Sequence, residues 1–121
     1  ARDEAVLLDA RTQLRELKAE FWRDVKVVGT GNRLNQELEK AGRVADFIEL
    51  GEVMILDALD RRESAGAHFR NEYATEAGEA KRNDGDWCAV SAWETRPDGT
   101  KVRHSEPLSF SLIDLQVRDY R

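Results

Sequence analysis

Apolar residues that recur at three- and four-residue steps predict one long helix between Arg33 and Arg62. The first apolar row along this core helix comprises Leu34, Leu38, Ala41, Ala45, Ile48, Ile55 and Leu59. A second row lies beside it and comprises Val44, Phe47, Gly51, Met54 and Ala58. Two adjoining rows make a wider apolar stripe than a two-helix contact requires, so we expect the core helix to touch more than one neighbour.

A second amphipathic pattern precedes the core helix and predicts another helix from about Arg2 to Asp24. Its apolar positions are Leu7, Ala10, Leu14, Leu17, Phe21 and Val25. The glycine-containing stretch 29–32 predicts the turn between the two helices, with Asn32 as the N-cap of the core helix. Because the connection is short, residues 1–62 are expected to form an antiparallel helical hairpin.

The helical period fades after position 62, and residues 63–121 are predicted to form a loop and a β extension of the same domain. The polar stretch 71–86 is rich in turn-forming residues and predicts the loop. A strand is expected to begin at Trp87. The sequence Pro97-Asp98-Gly99 then predicts a turn, after which Lys101–His104 returns as the second strand of a hairpin.

Alternating apolar residues continue towards the end of the chain and predict a last strand that runs to Tyr120. The alternation changes face near Leu112-Ile113, and a β-bulge is the simplest explanation. The predicted fold class is therefore mainly α with a β extension: an antiparallel helical hairpin followed by a small β-hairpin and a strand tail.

Composition narrows the classes of function. The 121 residues carry a net charge of -5 and 40% hydrophobic residues, with a mean hydropathy of -0.65, as expected for one soluble domain or part of one. Basic residues are interleaved with acids, which argues against a nucleic-acid interface, and no apolar run is long enough to span a membrane. A helical pattern without a start signal or signal peptide opens the sequence, so we expect a piece of a longer protein.

Few residues suggest a catalytic or metal-binding role, and for each of them a structural role is the simpler interpretation. Cys88, the single cysteine, excludes an internal disulfide and a cysteine-clustered metal site, and a small buried group is favoured over a nucleophile. His68 and His104 lack metal-ligand spacing, so a hydrogen-bonding role is favoured. The stretch 83–86 has oxygen ligands but not the spacing of a calcium loop, and is predicted to be a turn.

Two further patterns also favour structure over ligand binding. The stretch 25–34 has the order of a dinucleotide-binding loop, but Leu34 replaces the third glycine and a helix precedes it, so a helix-connecting turn is favoured. Trp87 and Trp93 are expected on one strand face, where packing is favoured over ligand stacking. The residues by themselves therefore predict a helical module with a β tail and no self-contained active site.

Four stretches of the chain resemble the C-terminal region of the flavoprotein subunit of succinate dehydrogenase and fumarate reductase. They are LRELKAEFW (14–22), LNQELEKAGRVADFIELGEVMILDALDRRESAGAHFRNEY (34–73), EAKRNDGDWCAVSAWE (79–94) and EPLSFSLIDLQVRDY (106–120). The most specific part runs from Ala58 to Arg70 and is similar to the family pattern A-L-x-R-x-E-S-x-G-x-H-x-R. The chain departs from the family at Ala65, where Cys or Arg is frequent, and at Asn71, where an acid is frequent.

This resemblance implies a three-helix, spectrin-repeat-like bundle with a β-containing extension, of which the chain supplies two helices. It implies a parent enzyme that takes a hydride from succinate to FAD and passes electrons to an iron–sulfur subunit and then to quinone. In the family, upstream domains hold FAD and the dicarboxylate, so the resemblance implies no catalytic, cofactor-binding or metal-binding residue in this chain. The parent subunit is expected in the cytoplasm, held at the inner face of the membrane by partner subunits.

The expected role of the chain is to brace the upstream flavin and capping domains and to help form the surface that faces the iron–sulfur subunit. Polar groups this dense after a buried helix need hydrogen-bond partners. The candidate interdomain and partner contacts are Glu63, Ser64, His68, Arg70, Trp87 and Trp93. The alternative is a stand-alone helical module that self-associates, with the isolated chain as a homodimer, because the second apolar row is left bare.

Overall fold

The computed structural model describes residues 2–29, 31 and 34–116. The elements in chain order are α1 (Glu4–Asp24), α2 (Gln36–Asp60), a 3₁₀ turn (Asn71–Tyr73), α3 (Asp84–Trp87), β1 (Ala89–Thr95) and β2 (Lys101–Pro107). The predicted class, mainly helical with a small β-hairpin, is confirmed. The chain divides into a helical unit, residues 4–60, and an extension unit made of residues 2–3 and 61–116.

The two long helices of the helical unit pack antiparallel, as predicted. Arg15 Nε lies 3.5 Å from Glu52 Oε1. Lys18, one turn further along α1, pairs with Glu49, which lies one turn earlier on α2, and its Nζ is 3.7 Å from Glu52 Oε2. Residue numbers therefore rise along α1 while those of the partners fall along α2, which is the signature of antiparallel neighbours.

The first helix begins at Glu4 and not at Arg2, where the sequence pattern placed it. The backbone of Arg2 is used elsewhere: its N–H donates to the Phe69 carbonyl at 3.2 Å, and its carbonyl accepts from the Asn71 N–H at 2.8 Å. These two bonds to residues far along the chain replace the first helical turn, and they place Arg2 in the extension unit.

The second helix spans Gln36–Asp60, which is shorter than the predicted range Arg33–Arg62. Asn35 is its N-cap, because Asn35 Oδ1 accepts hydrogen bonds from the N–H groups of Glu37 at 3.1 Å and Leu38 at 3.3 Å. The cap predicted at Asn32 lies outside the described residues.

An open apolar groove of about 600 Å³ lies between α1 and α2. Its lining residues are Ala10, Gln13, Leu14, Leu17, Gly51, Met54 and Ile55. The absence of a side chain at Gly51 admits Leu14, whose Cδ2 would lie 3.3 Å from a Cβ at that position. On the second predicted row Phe47 is 65% exposed and Met54 is 58% exposed, so the described residues leave this row largely uncovered.

The β-hairpin of the extension unit is confirmed where local turn chemistry predicts it. β1 and β2 pair antiparallel, from Ala89 opposite Pro107 to Thr95 opposite Lys101. Gly99 adopts a φ of +83°, a left-handed conformation that glycine adopts without the penalty other residues face. Asp98 Oδ1 accepts from the Thr100 N–H at 2.9 Å. Hydrogen bonding from the Thr100 side chain, and then from this N–H, lowers the pKa of the Asp98 carboxyl below its usual value.

The predicted start of the first strand, at Trp87, is wrong. Trp87 ends the one-turn helix α3, and the Cys88 N–H closes that turn by donating to the Asp84 carbonyl at 3.2 Å. β1 therefore begins two residues later than predicted, and Trp87 does not share a strand face with Trp93. The stretch 71–86 is accordingly not all loop, because the 3₁₀ turn and the start of α3 occupy its two ends.

The last predicted strand, with its bulge near Leu112-Ile113, is also wrong in residues 108–116, where the structure has no strand. The Leu108 N–H donates to the Cys88 carbonyl at 2.9 Å, but no neighbouring strand offers a hydrogen-bonding edge to the residues that follow. Alternating apolar residues can form a strand only when such an edge is present. The predicted end of this strand, up to Tyr120, lies outside the described residues.

Candidate functional site

The candidate site is a set of polar side chains that follows α2 in the extension unit. It comprises Arg61, Glu63, Ser64, His68 and Arg70, and is called the motif network below. Glu63, Ser64 and Arg70 are only 2%, 0% and 2% exposed. Buried polar and charged groups persist only where each finds partners, so the contacts of each residue define what the network does.

Glu63 uses both carboxylate oxygens. Oε1 accepts from Arg61 Nε at 2.8 Å and from Arg61 Nη2 at 2.6 Å, while Oε2 accepts from the backbone N–H of Asn83 at 2.8 Å. The carboxylate therefore joins the end of α2 to a point twenty residues further along the chain. Charge-assisted bonds of this kind are stronger than neutral ones, which accounts for an acid that water hardly reaches.

Ser64 is fully buried and bonds to the opposite side of the same turn. Its Oγ accepts from the Arg70 N–H at 2.8 Å and donates to the Arg70 carbonyl at 3.1 Å. Its own N–H donates to the Lys81 carbonyl at 2.9 Å. One hydroxyl thus bonds to both backbone groups of Arg70. A methyl group would take away the partner of the Arg70 N–H, while the carbonyl would keep the bond from the Tyr73 N–H at 3.0 Å.

Arg70 is held by neighbours close in sequence. Its Nε lies 3.1 Å from Glu72 Oε2 and its Nη2 lies 3.3 Å from Glu72 Oε1. The guanidinium carbon is 5.5 Å from the centre of the Tyr73 ring, within the range of a cation–π contact. The guanidinium is therefore held by an ion pair and by an aromatic ring.

His68 links two segments of the chain, because each of its two ring nitrogens contacts a different segment. Nε2 lies 3.1 Å from the Arg61 carbonyl oxygen, which can only accept, and Nδ1 lies 3.4 Å from Arg2 Nη1, which can only donate. These partners assign the neutral tautomer with the proton on Nε2. Burial lowers the pKa of His68 below 6.5, and the charges of Arg2, Arg61 and Arg70 lower it further, although the bond to the Arg61 carbonyl partly opposes the shift.

The two candidate tryptophans differ in their relation to the network. Trp87 lines a cavity of about 200 Å³ that Arg61, Glu63 and Cys88 also line, so it lies beside the network. Trp93 is half-buried on β1, opposite Arg103 in the strand register, and does not line that cavity. The guanidinium carbon of Arg103 is 4.8 Å from the centre of the Trp87 ring. The structure therefore joins Glu63, Ser64 and Arg70 with His68 into one network, places Trp87 beside it and does not bring Trp93 to it.

Sequence reasoning missed three participants. Arg61 stands in the quoted family pattern, so its position as a fixed cation before Glu63 was a usable signal. Arg2 and Asn83 gave none, because each reaches the network through chain segments far apart in sequence. The structure is needed to identify partners of that kind.

The glycine turn between the helices does not fit a dinucleotide. The place that a Cβ of Gly29 would occupy is already filled by the Asn35 amide, whose Nδ2 would be 2.6 Å away. Residues 25–28 form no strand, and α1 precedes them. The described part of this turn therefore offers no open cradle for a pyrophosphate.

The described part of the chain has no cluster of metal-ligating side chains and no helix that could span a membrane. Residues 2–29, 31 and 34–116 contain no group of three or more His, Cys, Asp or Glu side chains arranged to hold a metal ion. His104 is bound instead to Glu94, with Nε2 2.8 Å from Oε2. None of the helices described combines the length and apolarity that crossing a membrane requires.

Comparisons with known proteins agree with one another. The family profile described as fumarate reductase flavoprotein C-term matches residues 1–120. The succinate dehydrogenase flavoprotein subunit of Bacillus subtilis (strain 168) is 27% identical over 115 residues, which make up 94% of this chain and 18% of that protein. A mutant FrdA chain of E. coli quinol fumarate reductase has the same fold, with a TM-score of 0.77 and 23% identity over 93% of this chain and 18% of that one. The chain thus spans less than a fifth of the length of these relatives.

Proposed function

Because this chain belongs to the family of fumarate reductase flavoprotein C-terminal regions, we propose that it braces the flavin and capping domains of a succinate dehydrogenase or fumarate reductase. The relatives are more than five times as long. The remainder of such a subunit would hold FAD and take the hydride from succinate. An iron–sulfur subunit would then accept the electrons and pass them to quinone at the inner, cytoplasmic face of a membrane.

The observation that carries this proposal is where the polar groups of the motif network find their hydrogen-bond partners. Glu63, Ser64 and Arg70 are buried, and each is bonded within the extension unit. Side chains held in this way fix the path of the backbone and are poorly placed to exchange protons or bind a substrate. An extension unit held by its own buried hydrogen bonds, in a chain whose helices expose apolar residues, suits a part that other domains and the iron–sulfur subunit pack against.

The test is Arg70→Ala in the complete flavoprotein subunit, co-expressed with its iron–sulfur subunit. Removing the Arg70 side chain removes its ion pair with Glu72 and its contact with the Tyr73 ring. We expect the amount of assembled, flavin-containing complex to fall at least about fivefold, the factor that 1 kcal/mol produces. Turnover per retained flavin should stay unchanged, since no catalytic contact is lost.

Arg96→Ala is the matched control, because Arg96 is an exposed arginine in the hairpin turn. Arg70→Lys should give an intermediate loss, since it keeps the charge without the two-pronged bond to Glu72. The proposal is wrong if Arg70→Ala assembles as well as Arg96→Ala. It is also wrong if turnover per flavin collapses while assembly is intact.

The second candidate function is self-association of the chain through its helices. Its specific support is the apolar groove together with Phe47 and Met54, both more than half exposed. In this alternative a second copy covers the groove that other domains cover in the first proposal.

A further inference from the structure

We propose that His68 is a pH-sensitive latch that holds the segment before α1 against the segment after α2, and that acid opens it. The proposal concerns contacts within the extension unit alone, so it does not depend on the bracing function. His68 contacts one group from each segment, the Arg2 guanidinium and the Arg61 carbonyl.

The latch has two arms. One arm is the Nε2–H bond to the Arg61 carbonyl, at the end of α2. The other is the lone pair of Nδ1, which accepts from the guanidinium of Arg2. The second arm lies beside the backbone bonds that join Arg2 to Phe69 and Asn71, so the ring reinforces the parallel bridge between Arg2 and Arg70.

Protonation breaks only one arm. A proton on Nδ1 turns an acceptor into a donor that faces the donor of Arg2, and it places a positive charge beside the guanidinium. The Nε2–H bond to the Arg61 carbonyl survives, because a charged ring donates more strongly than a neutral one. Acid should therefore release Arg2 while His68 stays attached to the end of α2.

The charges that shift the pKa of the His68 ring are all positive. The charged groups that face the ring are Arg2 from the first segment, Arg61 from the end of α2 and Arg70 from the turn that follows. The carboxylates of Glu63 and Glu72 are bonded to Arg61 and Arg70 and make no hydrogen bond to the ring. Protonation thus adds a fourth positive charge to three that are already present.

The pH range follows from the direction of the shift. The pKa of His68 in the folded chain lies below the value of 6.5 that an unfolded chain has, so the folded state binds fewer protons. The contribution of His68 to stability is then fully present above about pH 6.5 and declines as the pH falls towards the folded pKa. Opening is expected over that same range.

The test is amide hydrogen exchange of the 121-residue chain by NMR, between about pH 7.5 and about pH 5, a range in which a histidine changes its charge. The reporter is the Asn71 N–H, which donates to the Arg2 carbonyl. After correction for intrinsic exchange, its protection should fall roughly threefold to tenfold on acidification, the factor expected when a hydrogen-bonded contact is lost. The Ser64 N–H, bonded to the Lys81 carbonyl, should keep its protection.

Two histidine variants separate the latch from other effects of acid. In His68→Gln the amide can donate to the Arg61 carbonyl and accept from Arg2 without titrating, so the protection of Asn71 should be independent of pH. His104→Gln removes the other histidine, which is exposed and bound to Glu94, and should behave as the unsubstituted chain does. The latch is refuted by any of three results: an equal loss in His68→Gln, no loss in the unsubstituted chain, or an equal loss at Ser64.

Discussion

Ser64 is the residue at which the motif network is most deeply buried. Its hydroxyl accepts one hydrogen bond and donates another, and both go to the backbone of Arg70. A hydroxyl is the smallest side-chain group that can both accept and donate a hydrogen bond. Because Ser64 is fully buried, water cannot replace its hydroxyl in these two bonds. The identity of this residue therefore matters more than its size suggests.

We predict that Ser64→Ala lowers the free energy of unfolding by about 1–3 kcal/mol, because it takes away the hydroxyl that accepts from the buried Arg70 N–H. Urea denaturation of the 121-residue chain measures the change. Ser109→Ala is the control, since Ser109 is exposed and lies outside every helix and strand. Equal midpoints for the two variants would contradict the role given to Ser64.

The sequence identified the members of the network better than it identified their partners. Glu63, Ser64, His68 and Arg70 stand within a run of polar residues after an apolar helix, so their need for hydrogen bonds was predictable. What could not be predicted is that Glu63 bonds to Asn83. That bond depends on how residues 64–82 fold back, which no local pattern encodes.

At the scale of elements, the start of α2 shows that a local signal can predict the correct type of helix cap at the wrong residue. Asn32 and Asn35 are equally good N-cap residues by chemistry. Asn35 caps the helix in the structure, and its Nδ2 also donates to the Val28 carbonyl at 3.1 Å. This second bond ties the cap to the preceding turn, and spacing alone does not reveal it.

We predict that Gly42→Ala raises the free energy of unfolding by about 0.5–1 kcal/mol, the usual gain for replacing glycine inside a helix. Gly42 lies in α2 with nothing within 4 Å of an added Cβ. Gly51→Ala is the informative comparison, because its Cβ would press on Leu14 and cancel some or all of that gain. Thermal unfolding followed by circular dichroism measures both, and a larger gain at Gly51 would refute the packing described for the groove.

The β elements show the difference between local and distant determinants. The hairpin was predictable because Pro97, Asp98 and Gly99 specify the turn by their own conformational preferences. The last strand was not, because alternating residues such as Leu112 and Ile113 need an adjacent strand to pair with. In the described residues both stay exposed, at 93% and 70%.

At the scale of the whole molecule, the chain exposes much of its apolar surface. Leu7, Ile48 and Ala58 are the apolar residues that are fully buried among those described. Ala58 is the buried end of the second apolar row, whereas Phe47 and Met54 on the same row stay exposed and correspond to the further neighbour that the pattern predicts. Both candidate functions supply one: other domains in the first, a second copy in the alternative.

We predict that self-association, if it uses the groove, appears as a dimer of the isolated chain at high micromolar concentration in sedimentation velocity. Phe47→Glu should then shift the population to monomer, because it places a charge on the apolar row. Val90→Glu is the control, since Val90 is 53% exposed but lies on the hairpin. A strict monomer would remove the alternative and leave the bracing proposal intact.

The bonds from Glu63 to Asn83 and from Ser64 to Lys81 have a practical consequence. They close residues 63–83 into a ring whose tip, at positions 75–78, is exposed to solvent. Because the closure lies at the base, the tip can change in length or sequence without disturbing it. An epitope or a fluorescent label spliced between Glu76 and Ala77 would open the turn in which the Gly78 N–H donates to the Thr75 carbonyl, but it should leave the bonds at the base intact.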